Sequence, residues 1–102
     1  MLMAMPKRLR KRARASADLD SIWHYIAGNS VKAADSVLNK IGTVFLLLLD
    51  SPLAGSDRSD LIAGLRCFVS GNYIVFYSVL PDGVEIVRVV HARQDINRDD
   101  LI

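Results

Sequence analysis

Apolar positions in this chain recur first at a helical period and later at a period of two. Leu19, Ile22, Trp23 and Ile26 fall at i, i+3, i+4 and i+7, one stripe of an amphipathic helix that begins near Ser16. Asp18 and Asp20 are expected in its first turn, where the positive end of the helix dipole favours carboxylates. Gly28 is expected to end it in the left-handed conformation. Asn29 or Ser30 then caps a second helix. Its stripe runs through Ala34, Val37, Leu38, Ile41, Val44, Phe45, Leu48 and Leu49 and is the strongest pattern in the chain. Ser51-Pro52 stops it, because the residue before a proline is pushed out of the α region. A connection of about three residues makes the two helices an antiparallel hairpin.

The period then changes. Pro52 to Ala63 is polar and turn-rich, a surface loop. Leu65 to Val69 reads as extended, Gly71-Asn72 as a turn, and Tyr73 to Val79 as a strand rich in β-branched and aromatic residues. Pro81-Asp82-Gly83 is a turn in which Pro presets φ and Gly accepts a positive φ. Val84 to His91 is the last strand. Leu9 to Arg14, short and charged, reads as an edge strand. The order β-α-α-β-β-β predicts an α+β fold: an N-terminal edge strand and an α-helical hairpin packed on an antiparallel β-sheet. Residues 1–102 form one domain with its core over about 9–95. Residues 1–6 and 96–102 are expected to be flexible or partner-dependent tails.

The strands carry apolar residues on both faces. Tyr73, Val75, Tyr77 and Val79 point one way, and Ile74 and Phe76 the other. Ile86 and Val90 oppose Val87 and Val89. One helical hairpin covers one face of a small sheet, and soluble monomers rarely leave a second apolar face in water. The expectation is that a partner covers it. The alternative is that the Pro52–Ala63 loop and the carboxy tail do so internally.

Composition narrows the class of protein. The chain is 51% apolar and 24% charged, which is globular. Its lone cysteine, Cys67, excludes an internal disulfide and Cys-pair metal sites. A reducing, cytoplasmic setting follows. Neither a secretory leader nor a membrane span is expected, since the apolar run Val44–Leu49 is far shorter than the roughly 20 residues a bilayer needs. Met1, Met3 and Met5 all remain possible starts. Lys7, Arg8, Arg10, Lys11, Arg12 and Arg14 supply six of the thirteen basic residues, and the rest of the chain is net negative. Such a patch suits an acidic protein surface or a phosphate backbone, and it also guards an edge strand against aggregation.

No acid/base pair, phosphate loop or metal-ligand spacing stands out. Glu85 is the only glutamate, and His24 and His91 belong to no ligand pattern, so neither metal nor cofactor is expected. Cys67 reads as a packing residue. Arg66, Arg88, His91 and Arg93 are polar residues on or near strands. Arginines beside apolar residues suit recognition of carboxylates or phosphates. Arg66 or Arg93 paired with Asp95 would be an internal ion pair, whereas Arg88 is expected to face a partner. His91 reads as a structural hydrogen-bonding residue.

Several segments are similar to one family. Ala15-Ser16-Ala17-Asp18-Leu19-Asp20-Ser21-Ile22-Trp23-His24-Tyr25-Ile26 resembles the opening helix of ParE-type toxins. Ala33-Ala34-Asp35, followed by the long helix ending at Ser51-Pro52 and Gly55, resembles their second helix. Gly64-Leu65-Arg66 with Tyr73-Ile74-Val75-Phe76-Tyr77, and then Val84 to Asp95, resemble their strands. The resemblance to the RelE/ParE superfamily runs from about Leu9 to Asp95. It implies the toxin of a bacterial type II toxin–antitoxin pair, with a ParD-like antitoxin as partner and plasmid stabilisation as a role. Arg8, Arg10, Arg12, Arg14, Tyr73, Val75, Tyr77 and Arg88 are the expected antitoxin-binding residues. The ParE branch implies inhibition of DNA gyrase without an enzymatic step or direct nucleic-acid binding by the toxin alone. The alternative is a ribosome-dependent mRNA endoribonuclease of the RelE type, using Arg66, Arg88, His91 and Arg93. Against it, the tail after Asp95 has no Tyr, His or Lys for proton transfer.

Overall fold

The computed structural model describes residues 7–102, so the expectation for residues 1–6 lies outside the described residues. Strand β1 (Arg8–Lys11) leads into helix α1 (Ala13–Ala27) and helix α2 (Val31–Asp50). Strands β2 (Ser56–Asp57), β3 (Leu65–Ser70), β4 (Tyr73–Leu80) and β5 (Gly83–His91) follow, and a 3₁₀ turn at Arg98–Leu101 closes the chain. The sheet order is β1-β5-β4-β3-β2. The α+β architecture is the expected one. Four strands pair antiparallel, while β1 lies parallel to β5, which makes the sheet mixed.

Helix α2 begins where Ser30 accepts the Ala33 N–H through its side chain, as its capping chemistry predicts. Helix α1 starts earlier than its apolar stripe. Asp18 and Asp20 therefore lie beyond the first turn, which holds no acidic residue. Gly28 keeps a helical conformation (φ −56°, ψ −29°) and not the left-handed one. Gly83 is also required for a different reason than expected. It takes no positive φ among the described residues; instead its α-carbon presses against the backbone of Arg8, where any Cβ would collide with the Arg8 carbonyl. The parallel β1–β5 pairing thus begins at a residue without a side chain.

Both sheet faces are covered by the chain itself. On one side, Ala15, Ile41, Phe45 and Leu48 of the helical hairpin bury Val75, Tyr77, Val84, Ile86 and Val89. On the other, Leu65, Phe76, Val87 and Val90 pack against Leu101, with Leu61, Ile62 and Ile96 around them. The expected external cover is therefore supplied by the loop before β3 and by the carboxy segment. That segment is not a loose tail. Asn97 accepts the Asp99 N–H, Asp100 accepts the Asn97 N–H in return, and Leu101 is fully buried.

A β-bulge sets which residues reach each side. Phe76 lies opposite Arg88 and Tyr77 opposite Ile86, so Val87 has no partner across the ladder. The extra residue shifts the alternation in β5, so that Ile86 and Val89 face the helices while Val87 and Val90 face the tail. Among the described residues, no helix is long and apolar enough to cross a membrane.

Leu101→Ala tests whether the tail is part of the core. It is expected to cost about 2–5 kcal/mol in urea unfolding, the range for emptying a buried leucine site. A loss below about 0.5 kcal/mol, the level of a surface substitution, would show that the tail does not seal the second face.

Candidate functional site

Strand β1 ends at Lys11, opposite Ile86, but β5 runs on to His91, leaving more than half of that edge without a neighbouring strand. Asp18 on α1 takes that place. Its Oδ2 accepts the Val89 N–H at 2.9 Å, and its two oxygens receive the Arg88 guanidinium at 2.7 and 2.9 Å. The Arg88 Nη1 then donates to the Asp100 carbonyl at 2.7 Å. One carboxylate thus satisfies a strand amide and holds an arginine in a two-pronged bond. The bond to Asp18 pushes the Arg88 pKa above its already high value, against the opposing effect of burial, so the guanidinium stays charged.

Asp18 also lies on the wall of an open groove of about 610 Å³ between the helical hairpin and the end of the sheet. Ile22 and Ile26 from α1, Val37 from α2, and Tyr73, Val89 and Val90 from the strands make it mostly apolar. Asn72, His91 and Gln94 add polar groups. His91 and Tyr73 meet edge to face at 5.4 Å. The His91 Nδ1 accepts the Arg93 N–H at 3.1 Å, which leaves Nε2 to carry the proton in the neutral ring. Tyr25 stands at the rim, 84% exposed. The groove's helical wall is steadied by Trp23, half-buried, whose Nε1–H donates to Asp35 of α2 at 2.8 Å.

The basic segment, expected as a strand over Leu9–Arg14, is strand only over Arg8–Lys11, with Arg12 at the N-cap of α1 and Arg14 inside the helix, and is largely engaged with its own chain. Arg8 pairs with Asp82 at 3.4 Å, while Arg10 and Arg12 share Glu85 at 3.9 and 2.9 Å. Arg12 and Arg14 also reach the Leu101 and Ile102 carbonyls. One glutamate facing two arginines leaves a cationic surplus along this edge, to which Lys11 adds.

Residues 9–96 match the model of the family described as the ParE toxin of type II toxin–antitoxin system, parDE. The chain is 36% identical to Toxin ParE3 of Caulobacter vibrioides over 90 residues, covering 87% of this chain and 90% of that protein. It is 37% identical to Toxin ParE1 of the same organism over 87 residues, covering 84% and 88%. This chain belongs to the ParE toxin family. It also shares its fold, at a TM-score of 0.70 and 22% identity, with a solved structure titled "Chromosomal ParDE TA system from P. aeruginosa", over 83% of this chain and 95% of that one.

Within this ParE-family toxin, the residues singled out from sequence are scattered. Val75 and Tyr77 lie beneath the helices with no exposed surface and offer nothing to a partner. The Tyr77 hydroxyl instead donates to Pro52 O at 2.7 Å and accepts the Gly55 N–H at 3.0 Å. Of the expected aromatic contacts, only Tyr73 reaches the groove. Arg88, expected to face outward, is the internally paired arginine. Arg66 is internal too, but it donates to Gly55 O and Leu53 O; among the described residues neither Arg66 nor Arg93 forms an ion pair with Asp95. Of the four residues of the ribonuclease alternative, Arg88 is committed to Asp18 and Arg66 to the Leu53 and Gly55 carbonyls. Tyr25, Ile26 and Gln94 line the groove and are not among the expected site residues, although Tyr25 beside Trp23 can be read as a recognition pair. Their other sequence signal was that Tyr25 falls off the apolar stripe of its helix.

Removing one half of the ion pair separates its parts. Arg88→Leu is expected to cost about 3–5 kcal/mol in chemical denaturation, because it leaves a carboxylate partly buried and unpaired. The Asp18→Leu/Arg88→Leu double variant should recover part of that loss, yet remain below the wild type because Val89 loses its acceptor. Simple additivity of the two single losses would show that the pair is not coupled.

Proposed function

We propose that the inhibitor of this toxin is a ParD-like antitoxin and that its cellular target is DNA gyrase in the cytoplasm. The observation that carries the antitoxin reading is the open apolar groove beside α1, with Tyr25 exposed at its rim. A lining of isoleucine, valine and tyrosine with few polar groups suits an amphipathic segment laid across it. The cationic surplus around Arg10, Lys11, Arg12 and Arg14 suits acidic residues on the same partner. Tyr25, Ile26 and Tyr73 are the expected anchors, and the arginines steer and orient.

The gyrase reading rests on the similarity to ParE toxins. It is favoured over RNA cleavage because Arg88, which phosphate binding would need, is already bonded at both ends by Asp18 and Asp100. The toxin then acts by binding and not by moving protons, and His91 serves the groove as a packing and hydrogen-bonding residue.

Tyr25→Ala should leave the fold intact and weaken binding to the antitoxin encoded beside the toxin gene. An aromatic side chain that a partner buries is worth about 2 kcal/mol, roughly thirtyfold in Kd, readable by isothermal titration calorimetry. Unchanged affinity for both Tyr25→Ala and Ile26→Asp would remove the groove from the antitoxin interface. Purified toxin is expected to inhibit supercoiling by gyrase. Translation arrest with codon-internal cuts, alongside unaffected supercoiling, would overturn the target.

A further inference from the structure

A second groove lies at the opposite end of the sheet, where α2 finishes and the β4–β5 hairpin turns. Lys7, Leu49, Pro52, Val79, Leu80, Pro81, Asp82 and Gly83 line an open volume of about 530 Å³ there. None of these residues belongs to the groove beside α1. Exposed apolar side chains adjoin it. Leu53, directly after Pro52, is 71% exposed, and Val79 on the wall is 43% exposed. Leu46, three positions before Leu49 on α2 and so one helical turn away, is 67% exposed. This end of the molecule presents an apolar hole with apolar knobs beside it.

The charges around the hole differ from those of the basic strand. Lys7 pairs with Asp50 at 3.5 Å and Arg8 with Asp82 at 3.4 Å, so the rim carries two cations and two anions with no surplus of either sign. A partner selected for acidity would gain little here.

We propose that this surface is the interface between two copies of this chain. In a two-fold dimer the same patch faces itself, so it must hold both knob and hole and both signs of charge. Leu53 of each copy enters the groove of the other, against Leu49, Pro52 and Val79. The exposed Lys7–Asp50 and Arg8–Asp82 pairs exchange partners across the axis, which keeps every charge matched. The groove beside α1 stays open on both copies, so self-association and capture of another protein do not compete.

Sedimentation equilibrium of the purified full chain alone, across a concentration series, tests this. A monomer–dimer equilibrium is expected. Leu53→Asp and Val79→Lys should each raise the dimer dissociation constant by about tenfold or more. Circular dichroism should be unchanged, since both side chains already face solvent. Tyr25→Ala should leave the dimer as it was. A chain that is monomeric throughout the series overturns the proposal. So does a dimer indifferent to both substitutions, or one weakened equally by Tyr25→Ala. None of these readings involves an antitoxin or gyrase, so they are independent of the proposed function.

Discussion

Strand β5 outlasts its parallel neighbour, and the amide of Val89 is left facing a gap where no strand follows. Asp18 fills that gap from a helix. An orphaned buried N–H costs about 1–3 kcal/mol, and an unpaired buried carboxylate costs more, so the two groups need each other and Arg88 as the third member. The consequence is geometric. Helix α1 is tied at one point to the C-terminal half of β5 and, through Arg88, to the carbonyl of Asp100. The position of the helical hairpin, the end of the sheet and the seat of the carboxy turn are all set from this one contact.

That contact explains how so short a chain closes a sheet that is apolar on both sides. A domain of about 100 residues buries a modest fraction of its surface, so little of its apolar material can be wasted. The helices take one face. The other is taken by Leu61 and Ile62 from the loop and by Ile96 and Leu101 from the tail, and the tail stays in place because Arg12 and Arg88 hold its last carbonyls. Since the sheet faces are spent on the core, the surfaces left for other molecules lie at the ends of the layers. Two open grooves occupy these ends, one beside α1 and one beyond α2.

The charge of the basic segment is put to use within the fold itself. Its arginines bind the chain's own carboxylates and terminal carbonyls, which keeps a short, fully exposed edge strand in place. Glu85 and Asp82 do not neutralise all of it, so a positive edge remains. An exposed ion pair contributes little to stability by itself. The Arg12 bonds to Glu85 and to the Leu101 carbonyl matter more because they link β1, β5 and the tail at one place.

The period of the apolar residues determined the elements by itself. Ala34 to Leu49 could only be one long helix against a core, Asn29 or Ser30 stood where its cap belonged, and the alternation from Tyr73 onward could only be strand. Family membership was legible on other grounds, by the resemblance of segments such as Ala15–Ile26, Gly64–Arg66 and Val84–Asp95 to those of ParE-type toxins, which the family match bears out. What periodicity cannot carry is pairing between distant residues. Asp18 and Arg88 stand 70 positions apart, and nothing local distinguishes an aspartate that caps a strand edge from one that favours a helix dipole. The bulge at Val87 breaks the period of two, so counting alone set Val90 on the wrong side relative to Ile86. Gly83 likewise looked like a turn residue until Arg8 was seen against it. Local pattern decides what each segment becomes, because it depends on neighbours within a few residues. Which arginine is buried, which face is sealed and where a groove stays open were decided only when the layers met in three dimensions.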